Sequence, residues 1–118
     1  MTERLENWNG MNWIRQEKRL AIYARDGFAC VYCGKTAEDG TKLSLDHIIP
    51  ASHGGNNEAN NLITACVNCN CKRGDTDIFT FVSQLPSPAT ELDFIFAMLQ
   101  RPINTKAAKL MLAARKAH

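Results

Sequence analysis

The sequence predicts a small α+β fold, in which a short β-hairpin runs into a helix and further helices lie on either side. Three observations predict it. Leu43 to Pro50 (Leu-Ser-Leu-Asp-His-Ile-Ile-Pro) alternates and then runs apolar, as a short buried strand does. Two C-x-x-C pairs, Cys30-Val-Tyr-Cys33 and Cys66-Val-Asn-Cys69, bracket that stretch. Apolar residues recur at helical spacing before the first pair and after the second.

Residues 1–11 are polar and read as an arm, with Trp8 in it and Trp13 just beyond. Residues 12–25 read as a helix. Trp13, Leu20, Ala21 and Ala24 share one side, and Arg15, Lys18, Arg19 and Arg25 take much of the rest. Asn12 is its expected N-cap and Gly27 its stop. Cys30-x-x-Cys33-Gly34 is a knuckle, with Gly34 relieving the turn. Residues 35–42 are polar and turn-like. The strand spans 43–49 and Pro50 ends it, because proline cannot continue a ladder. Residues 51–61 form a loop by composition, and Leu62 to Ala65 is the returning strand.

The second knuckle opens a helix through Asn70 and Arg73. Asp75 or Thr76 is expected to cap the next one, which carries Ile78, Phe79, Phe81, Val82 and Leu85 until Pro86 and Pro88 break it. Thr90 is the expected cap of a helix over 91–100. Pro102 separates a last helix over 105–117. The expected division is an arm (1–11) and one domain (12–118), with a core over about 25–75 and a helical extension over 76–118.

With 118 residues, 45% hydrophobic and 22% charged, the composition is that of an ordinary folded chain rather than a disordered one. The net charge of +2 names no partner by itself. Its distribution says more. Arg101, Lys106, Lys109, Arg115 and Lys116 crowd the last eighteen residues without an acid, and Arg15, Lys18, Arg19 and Arg25 face a single Glu17. Such faces suit a phosphate backbone, or are solvated helix surface. The N-terminus lacks an apolar leader, and the longest clear apolar run, Phe94 to Leu99, is too short to span a bilayer. A cytoplasmic protein without membrane contact is therefore expected. In that reducing setting the paired cysteines read as metal ligands rather than disulfides.

Cys30, Cys33, Cys66 and Cys69 make a tetrahedral thiolate set that suits structural zinc and leaves no open position for catalysis. Cys71 is left over as a bystander. The 32 residues between Cys33 and Cys66 exceed the roughly 15–20 of a common zinc ribbon, so the metal staples the ends of something else. That something contains Asp46-His47. The dipeptide also suits a strand end in solvent. However, a carboxylate is costly to bury unpaired, and the arrangement fits a site where Asp46 holds a cation and His47 handles a proton. An imidazole can take a proton at neutral pH, and a divalent ion can stabilise charge on a phosphoryl group.

The pattern Cys30-x-x-Cys33, Leu45-Asp46-His47-Ile48-Ile49-Pro50, Gly54-Gly55-x-Asn57, Asn61-Leu62, Cys66-x-x-Cys69-Asn70 and Arg73-Gly74-Asp75 resembles the HNH endonucleases, the ββα-metal nuclease class. The resemblance covers about residues 25–75. It implies a hairpin-helix core with a four-cysteine zinc site and cleavage of DNA phosphodiesters with a divalent ion. It implies that His47 is the general base, that Asp46 ligates the catalytic ion, and that Asn61 orders the loop and orients the base. Asn70 stands where the last His of the family name is often found, giving a His-Asn-Asn version. Its oxygen suits Mg²⁺ or Mn²⁺ as the catalytic ion. Arg73, Lys72 and His53 are expected at nucleic-acid phosphates, with His53 otherwise in solvent.

A one-site monomer would nick one strand per event. Restriction, phage packaging and mobile-element activity all use such domains, so a larger nuclease or packaging assembly is an expected setting; the oligomeric state is open. Two other classes compete with the enzyme: a non-catalytic zinc-stapled nucleic-acid-binding module, and a zinc-knuckle protein-interaction domain.

Overall fold

The first helix, α1 (Gln16–Arg25), starts four residues later than the sequence suggests, because Arg15 is extended and Trp13 sits in a turn. The structure, a computed structural model, describes residues 13–85 and 92–116. The expected arm, the Asn12 cap, the Pro86 and Pro88 break and the Thr90 cap lie outside the described residues. After α1 the chain reverses through Gly27 and Phe28, both with left-handed φ of 76° and 54°. It then enters the first knuckle, which is closed by Gly34 N–H on Cys30 O at 2.8 Å.

The hairpin follows. Strand β1 (Leu43–His47) pairs antiparallel with β2 (Leu62–Cys66), placing Leu43 opposite Cys66, Asp46 opposite Ile63 and His47 opposite Leu62. The ladder stops two residues short of the expected end. Beyond His47 the Ile48 and Ile49 amides bond to Asn61, the first to its carbonyl and the second to its side chain. Helix α2 (Val67–Arg73) follows β2 directly, with the Cys66 sulfur accepting the Cys69 N–H at its N-terminus.

Next comes α3 (Ile78–Ser83). Its cap is Asp77 rather than Asp75 or Thr76, and its carboxylate takes both the amide and the hydroxyl of Thr80. The preceding residues are instead held in a turn, where Arg73 donates to Thr76 O. Helix α4 (Leu92–Leu99) and helix α5 (Thr105–Lys116) complete the chain. Asn104 caps α5 by accepting the Ala107 amide.

The two-stranded sheet has core on both faces. On one face Ile63 and Ala65 pack with Val31, Tyr32, Ile78, Phe81, Ile95, Leu99 and the buried cysteines. On the other, Leu45 and Leu62 pack with Ile14, Ile22 and Tyr23. Helix α5 lies against α1. Among the described residues no helix is long and apolar enough to cross a membrane.

Two basic residues expected on a phosphate-facing surface, Arg19 and Arg25, are part of this interior. Arg25 is buried with Asp26 at 2.7 Å and also donates to Ala59 O and Leu62 O, while Asp26 accepts the Thr64 amide. The pair ties the end of α1 to the start of β2. Arg19 is buried as well, so the basic surface of α1 is reduced to Arg15 and Lys18.

Candidate active site

The four cysteines of the two knuckles converge. Their sulfurs all lie within 4.8 Å of one another, and Cys33 and Cys66 are 3.8 Å apart. A tetrahedron with metal–sulfur bonds of about 2.3 Å has edges of about 3.8 Å, so the set is positioned to bind a metal such as zinc. Backbone amides of Cys33 and Cys69 point at the sulfurs of Cys30 and Cys66. Burial pushes the Cys30 and Cys69 thiols up, while Cys66 goes down: burial opposes its ionisation, but the Cys69 amide and the neighbouring thiols outweigh that. Such a cluster holds four thiolates only with a cation at its centre. Cys71 stands outside it, exposed on α2.

Strand alternation sends Asp46 and His47 to opposite faces. Asp46 is buried. Its Oδ2 accepts from the Tyr32 hydroxyl at 2.6 Å and from Arg73 at 2.7 Å, while Oδ1 takes no part in those bonds. His47 is half-buried. Its ring lies 4.8 Å from that of Trp13, and its Nε2 is 2.8 Å from Asn57 Oδ1. A carbonyl oxygen can only accept, so Nε2 carries the ring proton and Nδ1 keeps the lone pair.

The asparagines divide the work. Asn61 is buried and staples the loop. Its oxygen takes the Ile49 amide, and its nitrogen donates to Ile49 O and Asn56 O. Gly55 completes this crossing, because a Cβ there would collide with the Ile49 carbonyl. Asn70 reaches back from α2 to β1, donating its amide to Ser44 Oγ and Leu45 O at 3.0 and 3.1 Å. Its carbonyl oxygen takes part in neither bond.

A cleft of about 670 Å³ gathers Asp46, His47, Asn70, Trp13, Pro50 and Cys71 at its walls. Of the other residues expected at the site, His53 is exposed on the loop beside Ser52, and Lys72 is exposed on the side of α2 that faces the cysteine cluster. Arg73 departs from the phosphate contact expected of it. It is buried and its guanidinium is spent on Asp46, His47 O, Ile48 O and Thr76 O, which makes it a brace beneath the site. Tyr32 and Asn57 stand out in the site only once the chain is folded, and Trp13, expected on the apolar side of a helix, lies against His47 instead. Asn57 lies within the Gly54-Gly55-x-Asn57 motif, but only the folded loop brings it to His47.

Comparison with known proteins follows the same stretch. A family model described as HNH endonuclease matches residues 30–76. The CRISPR-associated endonuclease Cas9 of Actinomyces naeslundii is 37% identical over 71 residues, which is 59% of this chain and 6% of that protein. The crystal structure of the Type II-C Cas9 enzyme from Actinomyces naeslundii is similar with a TM-score of 0.57 and 26% identity, over 92% of this chain and 11% of that one. The chain therefore spans a small part of the length of these relatives. With the hairpin, the following helix and the four-cysteine centre all in place, residues 30–76 belong to the HNH endonuclease family.

Proposed function

We propose that the chain is a metal-dependent DNA endonuclease that hydrolyses phosphodiester bonds at the Asp46–His47 cleft. The observation that supports this most is the pairing of two free ligand oxygens with one free lone pair. Asp46 and Asn70 each keep one oxygen outside their protein hydrogen bonds, and His47 keeps Nδ1. Two neutral-to-anionic oxygens make a hard donor set, which fits Mg²⁺ or Mn²⁺ better than zinc. When bound there, the ion would stabilise charge on the phosphoryl and leaving oxygens.

His47 Nδ1 takes a proton from water as its oxygen bonds to phosphorus, and the bond from phosphorus to the 3′ oxygen breaks, that oxygen taking a proton from solvent. The ends are then a 5′-phosphate and a 3′-hydroxyl. Asn57 holds the imidazole in the tautomer that can accept this proton, and Asn61 fixes the loop that carries Asn57. The four cysteines hold zinc as a staple, with no part in the chemistry. Residues 12–118 act as one unit that cuts one strand per event, inside a larger nuclease whose other parts supply further nucleic-acid contacts.

The test is supercoiled plasmid incubated with zinc-loaded protein and increasing Mg²⁺ or Mn²⁺. Ion-dependent conversion to open circle is expected. Intact plasmid held in a complex at every ion concentration would instead favour a zinc-stapled binding module.

Lys106, Lys109 and Arg115 are exposed along α5 and are proposed to grip the phosphate backbone. Exchanging all three for alanine is expected to weaken DNA binding in a mobility-shift titration with metal content unchanged. The logarithmic salt slope should fall by about 0.9 for each phosphate that is no longer neutralised. Unchanged affinity at low salt would remove α5 from the interface.

A further inference from the structure

We infer that Tyr32 is a positioning residue for the catalytic ion, holding Asp46 so that one carboxylate oxygen alone faces the cleft. This rests on the proposed nuclease reading. Tyr32 is one of the two residues between Cys30 and Cys33, so the metal knuckle carries it. Its ring is buried edge-on against Phe81 at 5.0 Å, and the Val31 amide beside it bonds to Thr64 O of β2. The hydroxyl is thereby set against Asp46 Oδ2 at 2.6 Å. A carboxylate oxygen accepts and a phenol hydroxyl donates, so Tyr32 is the donor of this bond.

Arg73 alone does not fix this carboxylate. The guanidinium reaches Asp46 through a single nitrogen, Nη1, and is itself pinned by the carbonyls of His47, Ile48 and Thr76. A carboxylate held by one bond can pivot about it. A second donor on the same oxygen, from a different direction, stops the pivot and leaves Oδ1 aimed at the ion. Asp46 would therefore offer a bound ion one oxygen, beside the carbonyl oxygen of Asn70. The four-thiol centre and the catalytic ion are coupled through one side chain.

The experiment measures Mn²⁺ binding to the zinc-loaded chain by the loss of the free-ion electron paramagnetic resonance signal, with Asp46→Ala as background. Tyr32→Phe removes one oxygen and keeps the ring. Its Mn²⁺ affinity is expected to fall about tenfold, the low end for a residue that orients a metal ligand. The Mn²⁺ concentration for half-maximal nicking should rise in parallel, with the rate at saturation close to that of the native chain. Phe81→Leu loosens the packing of the same ring but leaves the hydroxyl, and its loss of Mn²⁺ affinity should be smaller than that of Tyr32→Phe. Native affinity in Tyr32→Phe, or an equal loss in Phe81→Leu, would overturn the assignment and leave the nuclease reading standing. Absence of saturable Mn²⁺ binding in the native chain would overturn both.

Discussion

Stripping the metal from the four-cysteine centre is expected to unfold the chain. Cys30, Cys66 and Cys69 are members of the larger core cluster, so bonds from them to a metal would also hold the core together. The knuckles tie together segments more than thirty residues apart in sequence, and the hairpin hangs between them. Structural zinc contributes on the order of 10–16 kcal/mol at neutral pH, against a total stability of about 5–15 kcal/mol for a domain. Without the cation, burial drives Cys30 and Cys69 back to neutral thiols, and the centre loses its cohesion. Binding the metal requires deprotonated sulfur, so acid should release it. Far-ultraviolet circular dichroism with a chelator, followed by zinc addition, checks this. A chain that keeps its helical signal without metal would contradict it.

Arg73→Ala is expected to cost about 3–5 kcal/mol, the range for removing one partner of a buried ion pair. Asp46 would remain buried with only Tyr32 as donor, and the carbonyls of His47, Ile48 and Thr76 would each lose a bond. Arg73→Lys should rescue little, because one ammonium cannot span acceptors arranged around a planar fork. Urea denaturation of the zinc-loaded variants reads the loss as a shift in midpoint. A change below about 1 kcal/mol, the range of an exposed pair, would mean that the brace is not needed.

The hairpin and the metal centre were legible because their signals are local. Alternation over Leu43 to Ile49 and two C-x-x-C spacings are written within a few residues of each other, and both appear in the structure. The errors came where a residue's partner is distant. Arg25 and Arg73 looked like surface cations, but the carbonyl acceptors Ala59 O and Leu62 O are brought to Arg25 by the fold, and the counter-charge of Arg73, Asp46, lies 27 residues away. The start of α1 was misplaced for a related reason. Asn12 has good capping chemistry, but Trp13 sits in a turn with its ring against His47, and tertiary contact overrides propensity. The roles of Tyr32 and Asn57 were unreadable in sequence, since tyrosine in a knuckle and asparagine in a loop are ordinary until the register places them beside Asp46 and His47.

The most direct measurement is single-turnover nicking of supercoiled plasmid by the zinc-loaded chain and by His47→Ala, at saturating Mg²⁺ or Mn²⁺. Loss of the general base predicts a rate lower by about 10²–10⁴-fold, with zinc content and plasmid binding unchanged. Equal nicking by the two proteins would contradict the assignment of His47 and, with it, the placement of the reaction in this cleft.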